Sequence, residues 1–176
     1  MTMAARDTQR SKVYAAEWAA FPMGSHADMA LDDVRALVEK ISSSKRVQER
    51  YPHHCPGVRD GRARRRACYE PDINAIRLPR TMRAKWIVLH EMAHCLVWWG
   101  AEHGEEPAWH GWEFTECYLW LLRVYMGRHV EQQLLAEMKA RRVRHRPKRT
   151  REMTDEQREA ARQRMLDWHR QRQLAA

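Results

Sequence analysis

The sequence predicts an α+β domain, in which a short antiparallel sheet packs on one strongly apolar helix and further helices surround both. Three observations predict it. Between Pro52 and Pro79, Pro, Gly and Asp-Gly punctuate short extended runs. Outside that segment, apolar residues recur at three- and four-residue steps. The chain has 176 residues, 44% of them hydrophobic, with eight tryptophans, which suits one domain with a real core.

The elements follow in order. Residues 6 to about 21 have helical composition, with Val13, Ala16 and Ala20 at helical spacing, and stop at Pro22-Met23-Gly24. Asp28 is placed to cap a second helix, whose stripe is Leu31, Val34, Val38 and Ile41. Ser42-Ser43-Ser44 weakens its continuation toward Arg50. Ala67-Cys68-Tyr69 and Ile73 to Leu78 flank Glu70-Pro71-Asp72 and predict a β-hairpin. Asp60-Gly61 predicts another turn, with the arginines at 62 and 64–66 in the strand that follows. Pro79-Arg80-Thr81 opens a long helix with a broad apolar face: Trp86, Val88, Leu89, Met92, Ala93, Leu96 and Val97. Gly100 ends it. A polar loop leads to a helix from near His110–Glu113 to Tyr125 or Met126, and another covers roughly 129 to 142. Thr154-Asp155-Glu156-Gln157 forms a capping box for a last charged helix. The expected division is a domain over 1–138, a basic linker over 139–151 and a charged helix over 152–176.

The long helix carries His90-Glu91-Met92-Ala93-His94. Histidines four apart lie on one helix face, one turn apart, and can share a metal ion. In the H-E-x-x-H arrangement the glutamate does not ligate; it takes a proton from the water that the metal activates. Glu91 is therefore the catalytic candidate, with His90 and His94 as zinc ligands. A catalytic zinc needs a third protein ligand and an open position. His110 is the best placed, because the polar loop can return it to the helix, and Gly111 allows a close backbone approach there. Glu113 and Glu116 are its rivals, and His103 is read as a loop histidine. Phe114 is expected as a core anchor. Trp98, Trp99, Trp109 and Trp112 crowd the loop, whereas Trp86 and Trp120 read as core.

"WIVLHEMAH" followed by "HGWEF" resembles the HExxH…HGxxF pattern of SprT-like zinc metalloproteases. "RDTQRSKVYAAE", "INAIRLP", "RAKWIVLHEMAHCL" and "HGWEFTECYLWLL" together resemble an actinobacterial and actinophage family of zinc metallohydrolases. That resemblance spans about residues 6 to 127. It implies a zincin-like fold with His90, His94 and His110 as ligands of Zn2+ and Glu91 as the catalytic residue. It implies no particular substrate. The cysteine zinc ribbon that SprT-like proteins often carry is not seen here, since Cys55, Cys68, Cys95 and Cys117 form no CxxC pair. Cys95 and Cys117 read as small core residues. His53-His54-Cys55 with Cys68 is a second, weaker metal candidate.

The net charge is +9, and residues 139–151, "KARRVRHRPKRTR", hold eight Lys or Arg without an acid. Without that run the chain stands near neutrality. The run suits non-specific contact with nucleic-acid phosphates, and it has no aromatic residue to stack on bases; a solvated linker has the same composition. No apolar run of about 18 residues or more occurs, so no membrane partner is expected. The first residues lack an apolar core and a cleavage site, and the expected location is cytoplasmic. The expected activity is hydrolysis of a peptide bond in a protein or peptide substrate. The alternatives are a nucleic-acid-binding protein with a structural zinc, or a hydrolase of another amide.

Overall fold

The computed structural model describes residues 7–22, 24–62, 64–101, 107–147 and 154–174. The fold is mixed: among the described residues, seven helices surround a three-stranded sheet. In chain order the elements are α1 (Arg10–Ala20), α2 (Leu31–Ser42), α3 (Lys45–Arg50), β1 (Gly57–Asp60), β2 (Cys68–Glu70), β3 (Ala75–Leu78), α4 (Lys85–Gly100), α5 (Trp112–Tyr125), α6 (Arg128–Ala140) and α7 (Asp155–Leu174).

The sheet has the order β1-β3-β2. β2 and β3 form the expected hairpin, with Tyr69 opposite Ile76, through one 3-10 turn at Pro71–Ile73. Asn74 closes that turn at φ 43°, a left-handed position that asparagine tolerates. The sheet is not wholly antiparallel, however. β1 pairs with β3 in parallel, Val58 opposite Ile76. At the end of β1 a Cβ on Gly61 would stand 2.7 Å from the Pro79 backbone nitrogen, so the close approach of the two strands requires glycine there. The arginines that follow do not form a strand. Residues 62 and 64–66 lie in turns and bends with exposed side chains, because both edges of β3 are already paired.

α4 is the centre of the molecule. Every residue from Trp86 to Val97 is buried, and exposure returns only in the last turn, at Trp99 and Gly100. It packs on α5, α2 and β2, while α6 joins α5 to α1. α4 starts four residues after the expected Thr81. The Arg83 N–H is taken by Asp28 Oδ1 at 2.7 Å, and the Arg83 guanidinium pairs with Asp60 at 2.9 Å. These bonds hold residues 79–84 as a strap rather than a helical turn. They also overturn the expected cap: Asp28 secures Arg83, and Ala30 occupies the N-cap of α2.

Beyond α6 the chain turns back on the body. Val143 is buried, the Arg144 carbonyl accepts from Thr115 Oγ1 at 2.8 Å, and Gln9 bonds both backbone polar groups of Arg144. The described part of the basic segment, up to Pro147, thus includes residues packed against α5 and the approach to α1. The rest of it lies outside the described residues. α7 has Met165 exposed. No described helix is long and apolar enough to cross a membrane.

Candidate metal centre

His90 and His94 project from one face of α4, with their Nε2 atoms 3.1 Å apart. His110 comes from the loop before α5. Gly111 caps that helix in an extended conformation, and a Cβ there would stand 3.1 Å from the Ala108 carbonyl oxygen. The tight turn turns His110 back onto α4. The three histidines are buried, and one nitrogen from each lies within 4.8 Å of the others, so the group could hold a metal ion. Phe114 is fully buried and sets the ring positions: it stacks on His94 at 4.3 Å and meets His90 edge-on at 4.8 Å.

The remaining ring nitrogens of two of these histidines, His90 and His110, have carboxylate partners. His90 Nδ1 meets Glu17 Oε1 at 2.5 Å, and His110 Nδ1 meets Asp7 Oδ2 at 2.7 Å. A carboxylate on one nitrogen fixes the tautomer and aims the other nitrogen at a metal. The consequence is visible at His110, whose Nε2 is buried with no hydrogen-bond partner. A buried, unpartnered imidazole nitrogen costs free energy unless something occupies it. A metal ion between the three rings satisfies it, and three neutral imidazoles are the donors that zinc and its neighbours accept.

Burial favours the neutral, ligating form of two of the three imidazoles, His94 and His110. Burial pushes His94 well below its ordinary pKa, and the neighbouring His90 and His110 push it further. Burial and His90 also lower His110, against the opposing pull of Asp7. For His90, burial acts downward, but the charge and hydrogen bond of Glu17 outweigh it and hold the pKa up. Burial raises the Glu91 carboxyl to about 7, with the charge of His90 opposing, that of Glu17 assisting and the Tyr69 backbone N–H opposing.

Glu91, His94 and His110 line an open cleft of about 610 Å3. A smaller cavity of about 170 Å3 adjoins it, lined by Trp18, Met82, Trp86 and Ile87 among others. Tyr14 and Glu91 line both. Comparison of the chain with protein families, curated proteins and solved structures gives no match. The chemistry of the site therefore rests on its own geometry.

The rival ligands lie elsewhere. Glu116 pairs with Arg50 at 2.9 Å, and both Glu113 and Glu116 line a different cavity on the other side of Gly111. His103 lies outside the described residues. His53 meets the Tyr51 carbonyl through Nδ1 at 2.8 Å, with its Nε2 buried and unpartnered, and His54 lies edge-on to Trp99; neither belongs to a group of described residues that could hold a metal. Among the described residues, only His90, His94 and His110 form a metal-capable group. Of the tryptophans near the loop, Trp109 lines the cleft, stacked on Trp98.

The sequence reading missed three side chains of the site: Asp7, Tyr14 and Glu17. One signal pointed to the last. Glu17 lies on the stripe made by Val13, Ala16 and Ala20, where an acid has no place without a partner, and it is buried there. Changing Glu17 to Gln keeps an acceptor for His90 but removes the charge. Zinc affinity is expected to fall about 10- to 100-fold, as measured by competition with a chromogenic chelator. An unchanged affinity would remove Glu17 from the site.

Proposed function

We propose that the chain is a zinc-dependent hydrolase that cleaves peptide bonds. The observation that carries this reading is the convergence of three buried imidazoles, one with an unpartnered Nε2, beside a buried glutamate at the wall of an open cleft. The 3.1 Å between the two α4 nitrogens is close to the roughly 3.3 Å that two ligands on one tetrahedral zinc adopt. His90, His94 and His110 would hold the ion. Three protein ligands leave the fourth position open, as catalytic rather than structural zinc requires. A bound zinc supplies a Lewis acid for the substrate carbonyl and lowers the pKa of water. The short sheet beside the HExxH helix agrees with a zincin-like architecture and with the metallohydrolase resemblance of the motif.

The side chains divide the remaining work. Glu91 takes a proton from the attacking water as its oxygen bonds to the carbonyl carbon. It delivers that proton to the leaving nitrogen as the C–N bond breaks. A pKa raised to about 7 suits a group that must both accept and release a proton. Glu17 and Asp7 orient His90 and His110. Tyr14 is placed to donate to the carbonyl oxygen as negative charge develops: its ring stacks over His90 at 5.8 Å and meets His110 edge-on at 5.1 Å. Burial, opposed by the hydrogen bond from Arg10, raises its pKa, so the phenol keeps its proton.

The test is cleavage of a fluorogenic peptide library by the zinc-loaded chain, with peptides absent in favour of small amides as the control. Tyr14→Phe is expected to lower kcat about 100-fold with little change in KM, the loss typical of one oxyanion donor. A full-rate Tyr14→Phe enzyme would exclude that role. No cleavage of any peptide by zinc-replete, folded protein would exclude the peptidase.

A further inference from the structure

Four arginines edge the cleft in front of Glu91, His94 and His110: Arg10 from α1, and Arg64, Arg65 and Arg66 from the loop between β1 and β2. The same lining holds two carboxylates, Asp7 and Glu91, and Asp7 is engaged by His110. Three other arginines of this region, none of them lining the cleft, are ion-paired. Arg62 and Arg83 share Asp60, and Arg77 pairs with Glu70 at 2.7 Å. At the cleft the pattern changes. Arg64 reaches Glu70 only at 3.4 Å, and Arg10 lies over the Tyr14 ring at 5.7 Å. Arg65 and Arg66 are exposed and make no ion pair among the described residues. Clustered like charge in excess of its counter-charge raises the local potential and favours an anionic ligand.

We propose that this cleft selects peptides with acidic side chains beside the bond to be cut, and that Arg65 and Arg66 determine that specificity. The proposal rests on the peptidase reading above. Guanidinium forks match carboxylates in geometry and charge. Arg66 also borders the smaller cavity, whose tryptophan, methionine and isoleucine walls suit one apolar side chain. The preferred segment therefore joins acidic residues to a neighbouring apolar one. A nucleic-acid strand fits less well, because strand-binding grooves offer free aromatic faces for the bases. Here the Tyr14 ring packs on His90, Tyr69 is buried, and the two exposed rings are partly covered, Trp109 by stacking on Trp98 and Trp18 by meeting Trp86 edge-on.

The experiment uses the full chain carrying Glu91→Gln and loaded with zinc, so that substrates bind without turnover. Fluorescence anisotropy at low ionic strength compares an acidic leucine-containing peptide, the same peptide with lysines for the acids, and a single-stranded oligodeoxynucleotide. The acidic peptide is expected to bind about tenfold tighter than the lysine peptide. Adding Arg65→Ala and Arg66→Ala is expected to abolish the difference without altering zinc content or unfolding temperature. Equal affinity for the two peptides, a preference that survives the arginine changes, or tighter binding of the oligonucleotide than of the acidic peptide would each overturn the proposal. Cleavage by the zinc-loaded chain with Glu91 intact separates the two readings. An acidic peptide held through the arginines but never cut removes the hydrolase and leaves the binding preference standing. Acidic and lysine peptides cut at equal rates do the reverse.

Discussion

Glu91→Gln is expected to lower kcat by about 100- to 10,000-fold, the range for loss of a positioned acid–base group. Zinc content and unfolding temperature are expected to stay close to those of the parent. Glutamine has the same shape and hydrogen-bonds in the same place, but it cannot accept and return a proton. The substitution also removes a carboxyl that burial already disfavours as an anion, since its pKa stands near 7. The stability of the metal-free chain is therefore expected to be unchanged or slightly higher at neutral pH. The pairing of lost turnover with retained metal and fold is the informative result. A variant that retains a tenth or more of the parent rate would show that the proton is carried elsewhere, and the assignment of Glu91 would fall.

His110→Ala is expected to reduce bound zinc from about one ion per chain to a small fraction. The loss should exceed the roughly 10- to 100-fold typical of partners that only orient a ligand. Glu113→Ala and Glu116→Ala are expected to leave zinc in place, since both side chains line a different cavity and Glu116 is held by Arg50. Metal analysis of the three variants, each checked for folding by circular dichroism, decides between them. Zinc retained in His110→Ala but lost with either glutamate would replace the three-histidine site by a two-histidine, one-carboxylate one.

The legible part of the site was the part written in a local period. His90 and His94 lie four residues apart on one helix, and Glu91 follows from the same motif. His110 needed one loop closure and was readable from the glycine beside it. Asp7 and Glu17 were not readable as partners, because their contacts with His110 and His90 span 103 and 73 residues and no local spacing encodes them. The sheet divides in the same way. The β2–β3 hairpin was visible from its turn residues, whereas the parallel pairing of β1 depends on a non-local contact. The strap at residues 79–84 was misread as helix because the bonds that hold it come from Asp28 and Asp60, on other segments.

Those long separations also set an order of assembly. Gln9 bonds the carbonyl of His110 and the backbone of Arg144, and the Ala20 carbonyl accepts from Gln133. Each of these partners lies about a hundred residues or more downstream of α1. During synthesis α1 emerges early but cannot make these bonds until α5 and α6 have followed it. Closing such long loops is slow compared with forming a single helix. The HExxH turn can thus exist before His110 and its supporting carboxylates come together. Assembly of the three-histidine group becomes a late event of folding, and a partly made chain does not yet carry the complete set of candidate ligands.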